Sequence, residues 1–179
     1  VHKLTKPVDL RVSQIEPPRV GAAEVLIDVR AVGCNFFDTL IVQGKYQVKP
    51  DFPFSPGGEV AGVVCELGEG VSEFVVGDRV MAYVEYGGFA ERTKARGAST
   101  FSIPDTMPFE QAAAIPIVYG TSYVSLVPRG MLKADETVLV TAAAGGVGLA
   151  TIQIAKALGA RVIALAGGEA KLEITREAG

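Results

Sequence analysis

The chain has 179 residues, of which 49% are hydrophobic and 21% charged, and its formal net charge is −3. This length suits one or two packed domains, and the dispersed charges argue against a nucleic-acid-binding surface, which needs a concentrated basic face. The only histidine is His2, which excludes a Ser-His-Asp triad and a histidine-rich metal site, and no apolar stretch has the roughly 20 residues of a membrane span.

The first part of the chain, up to about residue 105, has the pattern of a small β-barrel. Alternating apolar residues and flanking turn residues predict strands at 24–32, 59–67, 79–84 and 89–95. Prolines and glycines interrupt them at short intervals, as expected for irregular barrel loops. Between the first two strands, apolar residues at helical spacing predict a short helix over 35–42.

Helical patterns replace strands from about residue 106. Helices are predicted over 108–115 and 118–127, and Gly130 is a stop signal. After these come a strand, a helix, a strand and the start of another helix, at 137–141, 148–158, 161–166 and 169–178. Strand, helix and strand of this length imply a parallel pair with a right-handed crossover. Two parallel strands leave an apolar face uncovered, so we expect a C-terminally truncated part of a longer protein.

A glycine-rich segment between the first of these strands and its helix carries the clearest functional signal. The β-branched run 137–141 leads into Gly145-Gly146-Val147-Gly148, which opens directly into a helical pattern. A dinucleotide-binding turn requires this context, because glycines let backbone N–H groups approach a pyrophosphate, and the helix N-terminus supplies unpaired donors. We therefore predict a tight glycine turn in which the cofactor diphosphate is bound by Ala144, Gly145, Gly146, Val147 and Gly148.

Segment 135–156, DETVLVTAAAGGVGLATIQIAK, resembles the signature of the quinone oxidoreductases, or zeta-crystallin family, of the medium-chain dehydrogenase/reductase superfamily. The resemblance extends upstream through AVGCNFFDTLIVQGKY, PFSPGGEVAGVV, GDRVMAY, GGFAE and EQAAAIPIVYGTSY. It implies an α/β protein with an incomplete GroES-like β-barrel catalytic domain over 1–112. Residues 113–179 would then form the first βαβ unit of a Rossmann doubly wound parallel sheet, in a protein that is a homodimer when full length.

The same resemblance implies an enzyme without zinc. In the alcohol dehydrogenase branch of the superfamily, a cysteine and a histidine ligand stand at the positions of Asn35 and Gly58. The four-cysteine structural lobe is also absent from this sequence. Because a catalytic zinc needs three good protein ligands in fixed geometry, we expect no bound metal.

The residues after strand 161–166 favour NADPH over NADH. No carboxylate ends this strand to bind a ribose 2′-hydroxyl, and Gly167 and Gly168 leave room for a 2′-phosphate. Lys171 can neutralise that phosphate, as the resemblance implies for NADPH-binding members, whereas an inward-pointing Glu169 would repel it. The resemblance also places Thr121 near the nicotinamide ring, the alternative being a hydroxyl bonded back to its own helix.

Two residues are candidates for the reacting centre by the same resemblance. The amide of Asn35 either hydrogen-bonds the substrate carbonyl or the nicotinamide ribose, or caps the following helix, or does both. Tyr46 either protonates the substrate, as in the related enoyl-thioester reductases, or packs in a loop with a solvated hydroxyl. Asp38 is interpreted as structural.

Three functions stay open at this point. The leading hypothesis is an NADPH-dependent oxidoreductase that transfers hydride or electrons to a quinone or an α,β-unsaturated carbonyl. The alternatives are an enoyl-thioester reductase of fatty acid or polyketide metabolism and a non-catalytic, crystallin-like nucleotide-binding protein. Cys34 and Cys65 form no disulfide framework, which favours a cytoplasmic protein. The chain starts at Val1 and not at Met, so a mitochondrial location also stays open.

Overall fold

The computed structural model describes all 179 residues, and contacts divide the chain into two compact units, Val1–Pro116 and Ile117–Gly179. The division proposed from the sequence, at 112 and 113, stays a prediction about the functional domains. None of the helices is both long and apolar enough to span a bilayer.

The first unit is built on one antiparallel sheet with the strand order β4-β1-β2-β3-β5. The strands are β1 (Glu24–Val32), β2 (Glu59–Leu67), β3 (Arg79–Tyr83), β4 (Arg92–Arg96) and β5 (Thr100–Ser102). Alternate residues pack on opposite faces: Val60 belongs to the main core, and its neighbour Ala61 to a second cluster with Ile103 and Ala112. Both faces of β2 are therefore covered, which explains why its first four residues are all buried and not alternately exposed.

Two short helices of this unit are α1 (Phe36–Ile41) and α2 (Phe109–Ala113). Ile41 and Val42, at the end of α1, are buried with Phe54, and this cluster positions the loop that follows the helix. Helix α2 supplies Ala112 and Ala113 to the second cluster of the sheet.

The fourth predicted strand is the main discrepancy in this unit. The prediction began it at residue 89, whereas β4 begins at Arg92. The N–H groups of Gly88 and Phe89 instead donate to the carbonyl oxygens of Gly57 and Pro56, at 2.9 and 2.8 Å. This segment therefore pairs with a loop and not with a strand. The short strand β5, which pairs with β3, was not predicted.

The charged strand β4 forms one edge of the sheet. Its sequence, RTKAR, alternates exposed cations with the buried Thr93 and Ala95. Arg92 pairs with Asp28 at 2.8 Å and Lys94 with Glu24 at 3.0 Å, both across to β1. The hydrogen bond and the positive charge of Lys94 contribute to lowering the pKa of Glu24 below its ordinary value, although partial burial opposes this.

The second unit contains the predicted strand–helix–strand unit. Its elements are α3 (Val118–Val124), a π-helical turn (Ser125–Arg129), β6 (Thr137–Val140), α4 (Gly146–Ala157), β7 (Arg161–Ala164) and α5 (Glu169–Glu177). Strands β6 and β7 pair in parallel, from Thr137 opposite Arg161 to Val140 opposite Ala164. The predicted α/β class, with an antiparallel sheet followed by a parallel pair of strands, is confirmed.

The predicted helix 118–127 ends its regular α-helical part at Val124. Pro128 lies inside the next turn and has no N–H to bond the carbonyl of Val124, so the helix widens into a π-turn there before it ends at Gly130.

One face of the β6–β7 pair packs against α4, through Val138 and Val162. The opposite face, which we call the open sheet face, consists of Leu139, Ile163 and Leu165, exposed by 59%, 48% and 49%. The predicted uncovered apolar face is therefore present in the structure.

Candidate functional site

A buried polar network lies where α1 begins, and we call Asn35, Asp38 and Glu59 the buried carboxylate network. Asn35 is the N-cap of α1, and its backbone N–H donates to Oδ2 of Asp38 at 2.8 Å. The other carboxylate oxygen of Asp38 accepts from the N–H of Gly57 at 2.9 Å. Asp38 therefore fixes two chain segments that are far apart in the sequence, in agreement with its structural interpretation.

Asp38 is only 5% exposed, and its surroundings change its acidity. Burial raises the pKa of Asp38 above its ordinary value, and the hydrogen bonds from Asn35 and Gly57 offset only part of this effect. Burial penalises the charged form of a carboxyl, whereas backbone N–H donors favour it.

The side chain of Asn35 is oriented by a second carboxylate. Its Nδ2 donates to Oε1 of Glu59 at 2.7 Å, and Glu59 is only 2% exposed. A Cβ at Gly33 would overlap the Glu59 side chain, so the site requires glycine there. Because the amide nitrogen faces Glu59, the amide oxygen Oδ1 of Asn35 faces away from it and can act only as an acceptor.

Tyr46 is half-buried and packs against α1 and the loop that follows it. Its ring packs on Phe37, with centroids 5.3 Å apart, and contacts the cluster of Ile41, Val42 and Phe54. Tyr83 is nearby and lies opposite Glu59 across β2 and β3. Burial raises the pKa of Tyr83, and Glu85 and the neighbouring Tyr46 raise it further.

Sequence reasoning did not place Glu59 or Tyr83 in this site. The signal that could have found them is strand register, because Glu59 begins β2 and Tyr83 ends β3, so an antiparallel pairing brings them together. No three or more His, Cys, Asp or Glu side chains come close enough to hold a metal ion.

The second candidate site is the N-terminus of α4. Residues 141–144 form the turn after β6, Gly145 is the N-cap, and the helix begins at Gly146. The chain supplies no acceptor for the backbone N–H groups of Gly146, Val147 and Gly148, which we call the amide cradle. Gly145 and Gly146 are exposed and Gly148 is buried. Unpaired N–H donors at a helix N-terminus favour binding of an anion.

The glycines of this segment do not form the tight turn that the sequence predicted. They lie at the cap and in the first helical turn, and the residue with positive φ is Ala142, at 50°. Gly148 is instead required by close packing, because a Cβ there would lie 2.5 Å from the carbonyl oxygen of Ala143. A Cβ at Gly146 would lie 3.1 Å from Cγ1 of Val118 on α3.

The loop after β7 contains the residues proposed for the 2′-phosphate. Gly168 is the N-cap of α5 with φ 88°, and a Cβ at Gly167 or Gly168 would meet no atom within 4 Å. Lys171 is exposed in the first turn and makes no ion pair. Glu169, which would repel a 2′-phosphate if it pointed inward, pairs with Arg176 at 2.7 Å.

Thr121 is exposed on α3, and Ala144 is half-buried in the turn before Gly145. The backbone carbonyl oxygen of Thr121 accepts a hydrogen bond from Oγ of Ser125 at 2.8 Å. Its own hydroxyl makes no hydrogen bond, so the alternative in which it bonds back to its helix is wrong.

Comparisons with known proteins agree with this architecture. Residues 21–107 match the family model of the alcohol dehydrogenase GroES-like domain. The chain is 39% identical over 171 residues to quinone oxidoreductase-like protein 2 of Rattus norvegicus, a match covering 95% of this chain and 49% of that protein. It is 42% identical over 158 residues to quinone oxidoreductase of Rattus norvegicus, covering 88% of this chain and 48% of that protein.

A solved structure of Escherichia coli quinone oxidoreductase complexed with NADPH matches with a TM-score of 0.90. The identity is 36%, and the match covers 99% of this chain and 55% of that chain. The chain thus spans about half the length of the curated relatives it matches.

Proposed function

Because the chain belongs to the quinone oxidoreductase family of the medium-chain dehydrogenase/reductase superfamily, we propose that it is part of an NADPH-dependent oxidoreductase. The protein transfers hydride or electrons to a quinone or an α,β-unsaturated carbonyl without zinc. The observation that carries this proposal is the amide cradle, three unpaired N–H donors at a helix N-terminus that follows a parallel strand.

The amide cradle binds the cofactor diphosphate, helped by the positive end of the α4 dipole. Ala144 and Gly145 line its approach, and Thr121 contacts the nicotinamide. Gly167 and Gly168 make room for the 2′-phosphate, and the ammonium group of Lys171 neutralises it. The ion pair between Glu169 and Arg176 supports this assignment, because it partly neutralises the carboxylate closest in sequence to the phosphate. The NADPH complex of the Escherichia coli relative supports the choice of cofactor.

Bound NADPH supplies the hydride, and the chain supplies position and polar contacts. Asn35 accepts a hydrogen bond from a hydroxyl of the bound ligand through Oδ1, since its amide nitrogen is directed at Glu59. This orientation favours a hydroxyl over a substrate carbonyl as its partner, because a carbonyl is itself an acceptor. Tyr46 is the candidate proton donor.

Zinc independence rests on the residues at the two ligand positions. Asn35 is engaged with Glu59, and Gly58 has no side chain, so neither provides the thiolate or imidazole that a zinc site uses. A homodimer is proposed from the family resemblance alone, and a cytoplasmic location from the lack of a disulfide framework.

The proposal is tested by titration and turnover. NADPH fluorescence should change saturably on addition of the protein, and NADPH oxidation should depend on a 1,2- or 1,4-quinone or a small enone. Dialysis against a zinc chelator should leave both measurements unchanged. Tight NADPH binding with no oxidation by any of these acceptors would instead support the non-catalytic alternative, and the names of the relatives favour the catalytic one.

A further inference from the structure

The structure assigns Ser122 as a positioning residue for the amide cradle, an assignment that rests on the proposed nucleotide function. Ser122 is on α3, one residue after Thr121, and its side chain is completely buried. Its Oγ lies 3.0 Å from the carbonyl oxygen of Val147, which belongs to the first turn of α4. A buried hydroxyl on a neighbouring helix therefore lies within donor distance of the carbonyl of the middle cradle residue.

A second hydroxyl reaches the same carbonyl from α4 itself. Oγ1 of Thr151 lies 2.7 Å from the Val147 oxygen and 3.0 Å from Oγ of Ser122. Ser122 is also 2.8 Å from the carbonyl oxygen of Val118 on its own helix. Each hydroxyl has one proton, and both can place it on the Val147 oxygen, so the two helices are joined at this carbonyl.

This contact acts on a donor of the amide cradle. The carbonyl of Val147 and the N–H of Gly148 belong to one peptide unit, so hydrogen bonds to the oxygen fix the plane of that unit and the direction of the N–H. Hydrogen bonds accepted by a peptide oxygen also polarise the group and strengthen its N–H as a donor. Gly148 is the cradle residue that is buried, so its N–H direction depends most on its protein neighbours.

The spacing between the helices makes the serine specific. A Cβ at Gly146 would lie only 3.1 Å from Val118, so α3 approaches the cradle closely. Alanine at position 122 would remove the α3 hydroxyl that lies within hydrogen-bond distance of the Val147 oxygen. We therefore expect Ser122 to set the affinity for ligands that contain the diphosphate, and not for ligands that lack it.

The test compares two ligands in the purified protein. NADPH contains the diphosphate, whereas adenosine 2′-monophosphate contains only the part assigned to Gly168 and Lys171. Ser122→Ala should raise the Kd for NADPH by about fivefold to tenfold, the effect of one hydrogen bond, and leave the Kd for adenosine 2′-monophosphate unchanged. Thr151→Val, which keeps the side-chain shape, should act in the same direction and decides the question if Ser122→Ala does not fold.

Thr175→Val is the matched control for Thr151→Val. Thr175 is a buried helical hydroxyl that bonds only to a carbonyl of its own helix, Leu172, at 2.7 Å. This variant should leave the ratio of the two Kd values unchanged. An equal loss of affinity for both ligands in Ser122→Ala, or no change for either, would overturn the assignment. Absence of NADPH binding in the unaltered protein would refute the proposed function instead.

Discussion

Asn35 is the N-cap of α1, and its side-chain nitrogen donates a hydrogen bond to Glu59. The cap could be predicted from the sequence, because asparagine before an apolar helical pattern is a local signal. The contact with Glu59 could not, because it joins residues 24 positions apart and depends on how β1 and β2 pair. The N-cap role of Asn35 could thus be predicted from the sequence, whereas the orientation of its side-chain amide could not.

Asp38 leads to a prediction about pH. A carboxyl whose pKa is raised by folding binds its proton more tightly in the folded state. The stability it contributes is therefore largest at low pH and falls as pH rises from the ordinary value near 3.8 through the raised value. We expect Asp38→Asn to remove this part of the pH dependence of the free energy of unfolding, measured by urea denaturation between pH 3 and 7.

Asp38→Asn should also lower stability at every pH by about 1–3 kcal/mol, because an amide cannot accept both backbone N–H groups. Asp105→Asn, at an exposed carboxyl, is the control. Parallel pH profiles for the unaltered protein and Asp38→Asn would contradict the prediction.

Tyr46 separates the two enzymatic alternatives. Quinone reduction needs no proton from the protein, whereas reduction of an enoyl thioester needs a donor. Tyr46→Phe keeps the ring contact with Phe37 and removes the hydroxyl. If the enzyme is an enoyl-thioester reductase, this change should lower kcat about 100-fold. If it is a quinone reductase, kcat should change by less than about threefold, and Tyr86→Phe serves as the control in both assays.

Lys171 and Glu169 should have opposite effects on cofactor choice. Lys171→Ala should raise the Kd for NADPH about fivefold and leave that for NADH unchanged, because only NADPH has a 2′-phosphate. Glu169→Gln should leave the Kd for NADPH unchanged or lower it. Lys133→Ala, an exposed lysine outside the proposed site, is the control, and an equal change for both nucleotides would argue against Lys171 as the phosphate contact.

At the scale of elements, the sequence predicted the strands that have a clear local pattern of apolar residues. β1 and β2 lie at the predicted residues, β1 because its apolar residues largely alternate and β2 because an apolar run ends at a glycine turn. The start of β4 and the existence of β5 depend on pairings with distant segments, which a local pattern does not contain. The glycine segment was recognised as functional from its local pattern, but its turn was placed four residues too late, at 145–148 and not at 141–144.

Gly148 tests the packing of α4 against the preceding turn. Gly148→Ala would place a methyl group 2.5 Å from the Ala143 oxygen, so helix and turn must separate. We expect a lower Tm and at least tenfold weaker NADPH binding by titration. Gly120→Ala is the matched control, since a Cβ there meets nothing within 4 Å, and it should stabilise α3 by about 0.5–1 kcal/mol. Similar behaviour of the two variants would refute the packing explanation.

At the scale of the whole molecule, the open sheet face is exposed apolar surface of the 179-residue chain. Exposed apolar strands favour binding to other apolar surfaces. Leu139→Thr should lower binding of a hydrophobic dye and self-association in sedimentation experiments, with less than about 1 kcal/mol change in the free energy of unfolding. Val140→Thr, at the buried neighbour, should instead destabilise the protein by about 1–3 kcal/mol without lowering dye binding.

The sheet of the first unit is protected differently at β4. Every second residue of this edge strand is a cation, and only Arg92 and Lys94 have carboxylate partners, both on β1. A strand from another molecule that added antiparallel to this edge through its own β4 would bring arginine and lysine side chains against each other. Repulsion between these side chains therefore opposes pairing of two β4 edge strands in dilute buffer. Concentrated salt screens this repulsion, so ionic strength should control whether two chains pair through this strand.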